Sequence, residues 1–206
     1  MSYLVFNEIG NYYDRLVGRY GHDHRACDYS QAQSQVLKFK IISQVSSFDD
    51  KTVLDVGCGF ADYKEFLEKR YRNIRYTGID LSGEMVSEAL RANPGSDIRQ
   101  ANLLTDDIGL FDIVIANGIF YLLGTDAWHL TQQLIARMFA CANTAVAFNS
   151  LSILARDQEA TEFYADPARV LAFCLTLTPH VILRHDYHDR DFSVYLYKTR
   201  PEWILE

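Results

Sequence analysis

The sequence predicts an α/β fold: a largely parallel sheet with helices on both faces and an antiparallel hairpin at its end. Three observations predict it. Short β-branched runs alternate with helical stretches between residues 52 and 150, the rhythm of a parallel sheet. The last two runs, "HVILRHDY" and "FSVYLYK", lie only a few residues apart, too close for a parallel crossover. The first run, "TVLDV", enters a bare "GCG", the turn from a strand into a helix.

The elements follow in order. "YLVFNEIGNYYDRLVGRYG" has apolar and aromatic residues at spacings of 3 and 4, with Gly21 as its stop. A second helix starts at Ser30, with Val36, Phe39 and Ile42 or Ile41 on its apolar side. Strands follow at 52–56, 74–80, 97–102, 111–117 and 144–150. Between them stand the helices "ADYKEFLEKRY", "GEMVSEALRAN" and "DAWHLTQQLIARMFACA", the second N-capped by Ser82. Asp166-Pro167 opens "ARVLAFCLTL", an N-cap followed by proline at the first helical position. No repeat or linker divides the chain. One domain is expected over 1–206, with a helical cap at 1–50 and a core at 51–200.

The composition narrows the function classes. Twenty Lys and Arg against 27 Asp and Glu leave a net charge of −7, which disfavours a nucleic-acid partner. Cys27, Cys58, Cys141 and Cys174 form no C-x-x-C pair, so neither a zinc site nor a disulfide scaffold is suggested. "HDH" and "HDYHD" supply at most two histidine ligands each, so no metal is expected. Neither a secretory leader nor a membrane-length apolar run is evident. A cytoplasmic protein is the expectation, with its oligomeric state open.

"VLDVGCGFAD" (53–62) carries the chemistry. Gly57 and Gly59 let the backbone approach a ligand. A Walker A loop would need Gly-Lys-Ser/Thr, which is absent. The dinucleotide pattern would put Gly or Ala at position 62, where this chain has Asp62, and that counts against NAD. Asp80 ends the second strand, 23 residues after Gly57, and can accept both hydroxyls of a ribose. A glycine turn, no pyrophosphate site and a ribose acid suggest a nucleoside cofactor without phosphate.

In these features the chain resembles the class I S-adenosylmethionine-dependent methyltransferases, of the small-molecule type. "VLDVGCGFAD" resembles that family's first motif, with Ala61 where a third glycine is usual. "GIDLS" resembles the second motif, "QANLL" the adenine stretch and "FDIVIANGIFYLL" the fourth-strand motif. The resemblance implies a Rossmann-like, doubly wound, seven-stranded sheet with an antiparallel last strand and extra N-terminal helices. It implies S-adenosyl-L-methionine as cofactor. It implies a cofactor site drawn from Asp55, Gly57, Cys58, Gly59, Asp80, Leu81, Asn102, Leu103, Asn117 and Gly118.

Other residues carry two readings each. Asn102 is either an adenine contact or a strand-end cap. Lys38 either reaches the cofactor's carboxylate or is a solvated lysine. Tyr12, Tyr13 and Tyr20 are either core or a helix closing over the cofactor, and Tyr13 is counted with the cofactor set. Cys58 reads as packing, not as a nucleophile. The segment 150–167 is long for a connection and reads as a substrate lid. Tyr121, Asn149, Tyr187 and His22 are candidate substrate-side residues, with His24 behind them.

The final hairpin should emerge at the carboxyl ends of the parallel strands, where such folds bind ligands. His185 or His188 is therefore the candidate base for an acceptor that carries a proton. The reading is methyl transfer to a small molecule by in-line displacement. The alternative is an inactive module of the same fold that binds the cofactor or a partner protein.

Overall fold

The computed structural model describes residues 2–28 and 31–201. Ser30, where the second helix was expected to begin, lies outside them. The chain runs α1 (Ser2–Tyr20), α2 (Ala32–Ile42), β1 (Thr52–Val56), α3 (Asp62–Glu68), β2 (Arg75–Asp80), α4 (Gly83–Ala92), β3 (Asp97–Gln100) and β4 (Phe111–Ala116). It continues through α5 (Ala127–Cys141), β5 (Ala142–Leu151), α6 (Pro167–Leu177), β6 (Val181–Arg184) and β7 (Asp191–Tyr197).

The seven strands form one sheet in the order β3-β2-β1-β4-β5-β7-β6. β1 to β5 pair in parallel, and β7 runs antiparallel to both β5 and β6. β6 therefore points the same way as the first five. The strand order reverses between β1 and β4, which opens a crevice at their carboxyl ends.

Side chains along the central strands alternate between two core layers. Leu54, Val114 and Val146 pack with α5 residues on one face. Val53, Ile113 and Ala145 pack on the other with Phe39, Tyr63 and Phe66 from α2 and α3. Burial of this size drives the sheet together at roughly 25 cal/mol per Å² of apolar surface.

The caps are those expected. Ser82 Oγ accepts from Met85 N–H at 3.0 Å, and Asp166 Oδ1 accepts from Ala168 N–H at 2.9 Å. α3 is shorter than its apolar pattern: past Glu68 the chain tightens, with Arg70 N–H on Leu67 carbonyl at 2.9 Å. β5 is longer than its pattern at both ends, where Ala142 pairs with Phe111 of β4 and Leu151 with Asp191 of β7.

Candidate functional site

A cavity of about 260 Å³ lies at the carboxyl ends of β1, β2 and β4. Its floor is the turn after β1. Gly57 and Gly59 have φ of +72° and +53°, the left-handed region that glycine enters without strain. A Cβ on Gly57 would meet Ile119 Cγ2 at 2.4 Å, so the glycine is required by the protein itself as well as by any ligand. Ala61, at the place of the third glycine, also takes a left-handed φ of 61°. The loop keeps its shape there at a cost of about 1 kcal/mol.

Cys58 is buried and packs into the hollow over Gly78, where a Cβ would meet its Sγ at 2.8 Å. Burial holds its thiol well above the ordinary range. It is packing, as its position suggested.

Asp80 closes one side of the cavity. Its Oδ2 accepts from Gly59 N–H at 2.8 Å and its Oδ1 from Ser82 N–H at 2.9 Å. Burial raises its pKa, and these amides oppose that rise. The carboxylate is thus fixed in plane, and each oxygen keeps a lone pair able to take a hydroxyl.

Asn117 and Asn149 form a directed pair at the mouth of β4. Asn149 Oδ1 accepts from Gly118 N–H at 2.8 Å. That sets its amide group, whose Nδ2 donates to Asn117 Oδ1. Asn117 Nδ2 is left buried without a protein partner, on a residue that lines the cavity. A buried amide donor left this way costs about 1–3 kcal/mol, so it fits a carboxylate or hydroxyl acceptor on a bound molecule. With Asp80 it suits the two polar ends of S-adenosylmethionine, its ribose and its amino-acid group.

The roof comes from α1 and the segment after it. Tyr13 and Tyr121 hydroxyls meet at 2.5 Å. Tyr121 and Tyr12 both donate to Asp28 Oδ2, at 3.1 and 3.0 Å. α1 also grips the Asp80 side: Asp14 Oδ1 accepts from Ser82 Oγ at 2.5 Å and from Glu84 N–H at 3.1 Å. Gly10 lies so close to Leu81 that a Cβ would come within 2.9 Å of its carbonyl oxygen.

At the opposite end stand His188, Lys38 and Asp191. His188 Nδ1 is 3.0 Å from Asp191 Oδ2, and Lys38 Nζ is 2.9 Å from Asp191 Oδ1. Asp191 is 3% exposed. The His188 and Lys38 contacts hold its carboxyl below the usual range against the upward pull of burial. Arg190 Nη2 donates to Glu162 Oε2 at 2.8 Å and to Tyr164 Oη at 2.6 Å. The segment 150–167 folds back to bring Glu162 to the cavity, tied by Phe163 N–H to Tyr121 carbonyl at 2.8 Å.

The residues inferred for a cofactor, Lys38 and Tyr13 included, all line this one cavity, as do Tyr121, Asn149 and His188. Two of them are differently employed. Lys38 Nζ is bonded to Asp191. Asn102 Oδ1 accepts from Leu104 N–H at 3.0 Å, which is its strand-end reading.

Three candidates lie elsewhere. His185 Nε2 pairs with Ser152 Oγ at 2.8 Å, and its ring stacks on Phe192. Tyr187 bonds Ser193 Oγ at 2.8 Å and packs against the sheet's second core layer. His22 leans on Phe60 and pairs with Asp62 at 3.1 Å. Of the three candidates on the hairpin turn, His188 lines the cavity and His185 and Tyr187 do not.

Sequence reasoning did not single out Asp28, Asp191, Glu162 or Arg190. Asp191 opens β7 directly beside the "HDYHD" stretch, and that adjacency was the available signal.

A methyltransferase-domain family model matches residues 54–144. The chain is 30% identical over 115 residues to a trans-aconitate 2-methyltransferase of Rhodopseudomonas palustris, a match spanning 50% of this chain and 44% of that protein. It is 33% identical over 84 residues to a ubiquinone biosynthesis O-methyltransferase of Hydrogenovibrio crunogenus, spanning 41% of this chain and 31% of that one. The chain thus spans less than half the length of these curated relatives. Its fold is similar to that of magnesium protoporphyrin IX methyltransferase from Synechocystis PCC 6803, with TM-score 0.66 and 12% identity over 95% of this chain and 100% of that one. The matched segment runs from β1 to β5 and carries the glycine loop, Asp80 and Asn117, and over it this chain is similar to the methyltransferases.

Proposed function

We propose that the protein methylates a small-molecule acceptor, with S-adenosylmethionine supplying an activated methyl group. The observation that carries this reading is that the glycine loop, Asp80, Asn117 and His188 line one cavity. Asp80 would hold the ribose hydroxyls, and Asn117 Nδ2 the amino-acid end. α1 and the segment 150–167 would close over both ligands and exclude water, leaving alignment as the main contribution to rate. His188 would take the acceptor's proton. The acidic lining and net charge of −7 support a small acceptor over a nucleic acid.

Calorimetry with S-adenosylhomocysteine, S-adenosylmethionine and NAD tests it. The first two should bind with micromolar or better affinity and NAD should give no heat. Binding of NAD alone would overturn the proposal.

A further inference from the structure

The methyl-transfer reading, on which this inference rests, requires a hold on the methyl acceptor, and Arg190 is built to supply one. It lines the cavity beside Glu162. Its backbone is fixed on both sides: its N–H donates to His188 Nδ1 at 3.1 Å, and its carbonyl accepts from Ser152 N–H at 2.8 Å. The guanidinium at the end of that stem is incompletely used. Nη2 donates to Glu162 Oε2 at 2.8 Å and to Tyr164 Oη at 2.6 Å. Nε, on the same edge of the group, is buried and has no partner among the described residues. That edge matches a carboxylate bidentately, one oxygen to each nitrogen. Glu162 engages it with a single oxygen, which also takes the Tyr164 hydroxyl. A buried N–H without an acceptor is costly, so this ion pair falls short of the pairing its donors can make.

Glu162 can also leave. It belongs to the segment 150–167, whose path is held by other bonds. Ala165 N–H donates to Leu151 carbonyl at 2.9 Å and Ile153 N–H to Ala165 carbonyl at 3.0 Å, closing the neck. Gln158 Nε2 staples the interior, donating to Ile153 and Ala155 carbonyls at 2.9 and 3.1 Å. The Glu162 side chain can therefore turn away while the backbone stays. Its ion pair is the accessible one of the two in the cavity. Arg190 and Glu162 side chains are 38% and 19% exposed, against 11% and 3% for Lys38 and Asp191. A partly exposed pair contributes little and exchanges readily, whereas breaking a buried one is strongly unfavourable.

We propose that Arg190 anchors a carboxylate of the methyl acceptor, and that Glu162 occupies this place until the acceptor arrives. The incoming carboxylate takes Nε–H and Nη2–H on its two oxygens and the Tyr164 hydroxyl on one of them. That is three donors, where Glu162 uses two. One carboxylate replaces another, so the charge beside the guanidinium is unchanged. Asp28, Asp62 and Asp191 also line the cavity and disfavour a dianion such as phosphate. A carboxylate held by three donors is a weakened nucleophile, so it serves as the handle and the methyl group goes to another atom of the acceptor.

Arginine Nε–H groups are resolved in ¹H–¹⁵N spectra, and Arg190→Lys identifies the Arg190 signal by its loss. The wild-type protein, saturated with S-adenosylhomocysteine, is titrated with benzoate, with benzamide as its uncharged counterpart, and with inorganic phosphate. Benzoate should move the Arg190 Nε–H signal downfield with millimolar affinity, and the other two should leave it in place. Glu162→Gln removes the competing charge and should tighten benzoate binding about 2–5-fold. No movement with benzoate up to about 50 mM, or an equal response to benzamide or phosphate, overturns the proposal, and the wild-type titration decides this even where a variant fails to fold. Benzoate affinity that Glu162→Gln leaves unchanged or weakens would overturn the place-holding role of Glu162. Failure of S-adenosylhomocysteine to bind at all would instead count against the methyl-transfer reading, so the two failures are distinct.

Discussion

Asp80 does two things with one carboxylate. It presents oxygens to the cavity, and it holds Gly59 and Ser82 amides at 2.8 and 2.9 Å. Removing it therefore has two costs. Asp80→Ala leaves two amides of the cofactor loop without an acceptor, at about 1–3 kcal/mol for each that water does not reach. Asp80→Asn is the cleaner substitution, because its carboxamide oxygen can still accept from one amide. The asparagine variant should stay folded and bind S-adenosylhomocysteine on the order of 10–100-fold more weakly, for loss of a charge-assisted hydrogen bond of roughly 1.5–3 kcal/mol. The alanine variant should lose binding and also melt several degrees lower. Calorimetry and thermal melts separate the two. Asparagine binding as tightly as wild type would remove the ribose role.

At the scale of elements, α1 links the two ends of the cavity. Asp14 takes hydrogen bonds from Ser82 Oγ and Glu84 N–H, beside the Asp80 loop, while Tyr13 meets Tyr121 beyond β4. A helix fastened at both places behaves as a lid, and a lid sets how fast a ligand leaves. Asp14→Ala frees the fastening beside Asp80 and leaves the sheet untouched. S-adenosylhomocysteine should dissociate up to about tenfold faster, the equivalent of one hydrogen bond of about 1.4 kcal/mol, with the melting temperature little changed. Stopped-flow displacement measures it, and an unaltered dissociation rate would mean that α1 is only packing.

This lid was half legible in the sequence. The tyrosine stripe on α1 could be seen, because helical periodicity is local. Its partner Asp28 could not, since residues 13, 28 and 121 meet only once the sheet forms. The strands and caps, also local signals, were legible almost to the residue. The final hairpin was legible as topology, but not the facing of its turn, which turns His188 inward and His185 toward Ser152.

For the molecule as a whole, the consequence of building an acidic cavity appears in its response to pH. Asp55 sits within β1 at 2% exposure and takes a hydrogen bond from Tyr76 Oη at 2.6 Å. Burial, reinforced by Asp80 and Asp62, pushes its pKa from 3.8 up to about 7, although the Tyr76 bond opposes the shift. The folded state thus keeps a proton that the unfolded chain has released, and stability falls as pH rises between these two values. Below the window both states are protonated and the contribution is flat. Above it both are ionised and the full penalty applies, at most about 4 kcal/mol. That is a large share of the 5–15 kcal/mol typical of a domain. The depressed acids act in another window: Asp191 and Asp112 lie below 3.8, so their contribution is lost only under stronger acid. Thermal melts should therefore show stability declining from about pH 4 to pH 7 and levelling off above that. Asp55→Asn, which buries no charge at any pH, should flatten that decline and be the more stable protein at the alkaline end. Saturating S-adenosylmethionine, whose cationic groups favour an ionised Asp55, should stabilise wild type more at about pH 8 than at pH 5, and this difference should shrink in Asp55→Asn. A wild-type profile that is flat across the window, or an asparagine variant that keeps the slope, would show that Asp55 retains no proton and that the cavity's acidity does not limit the fold.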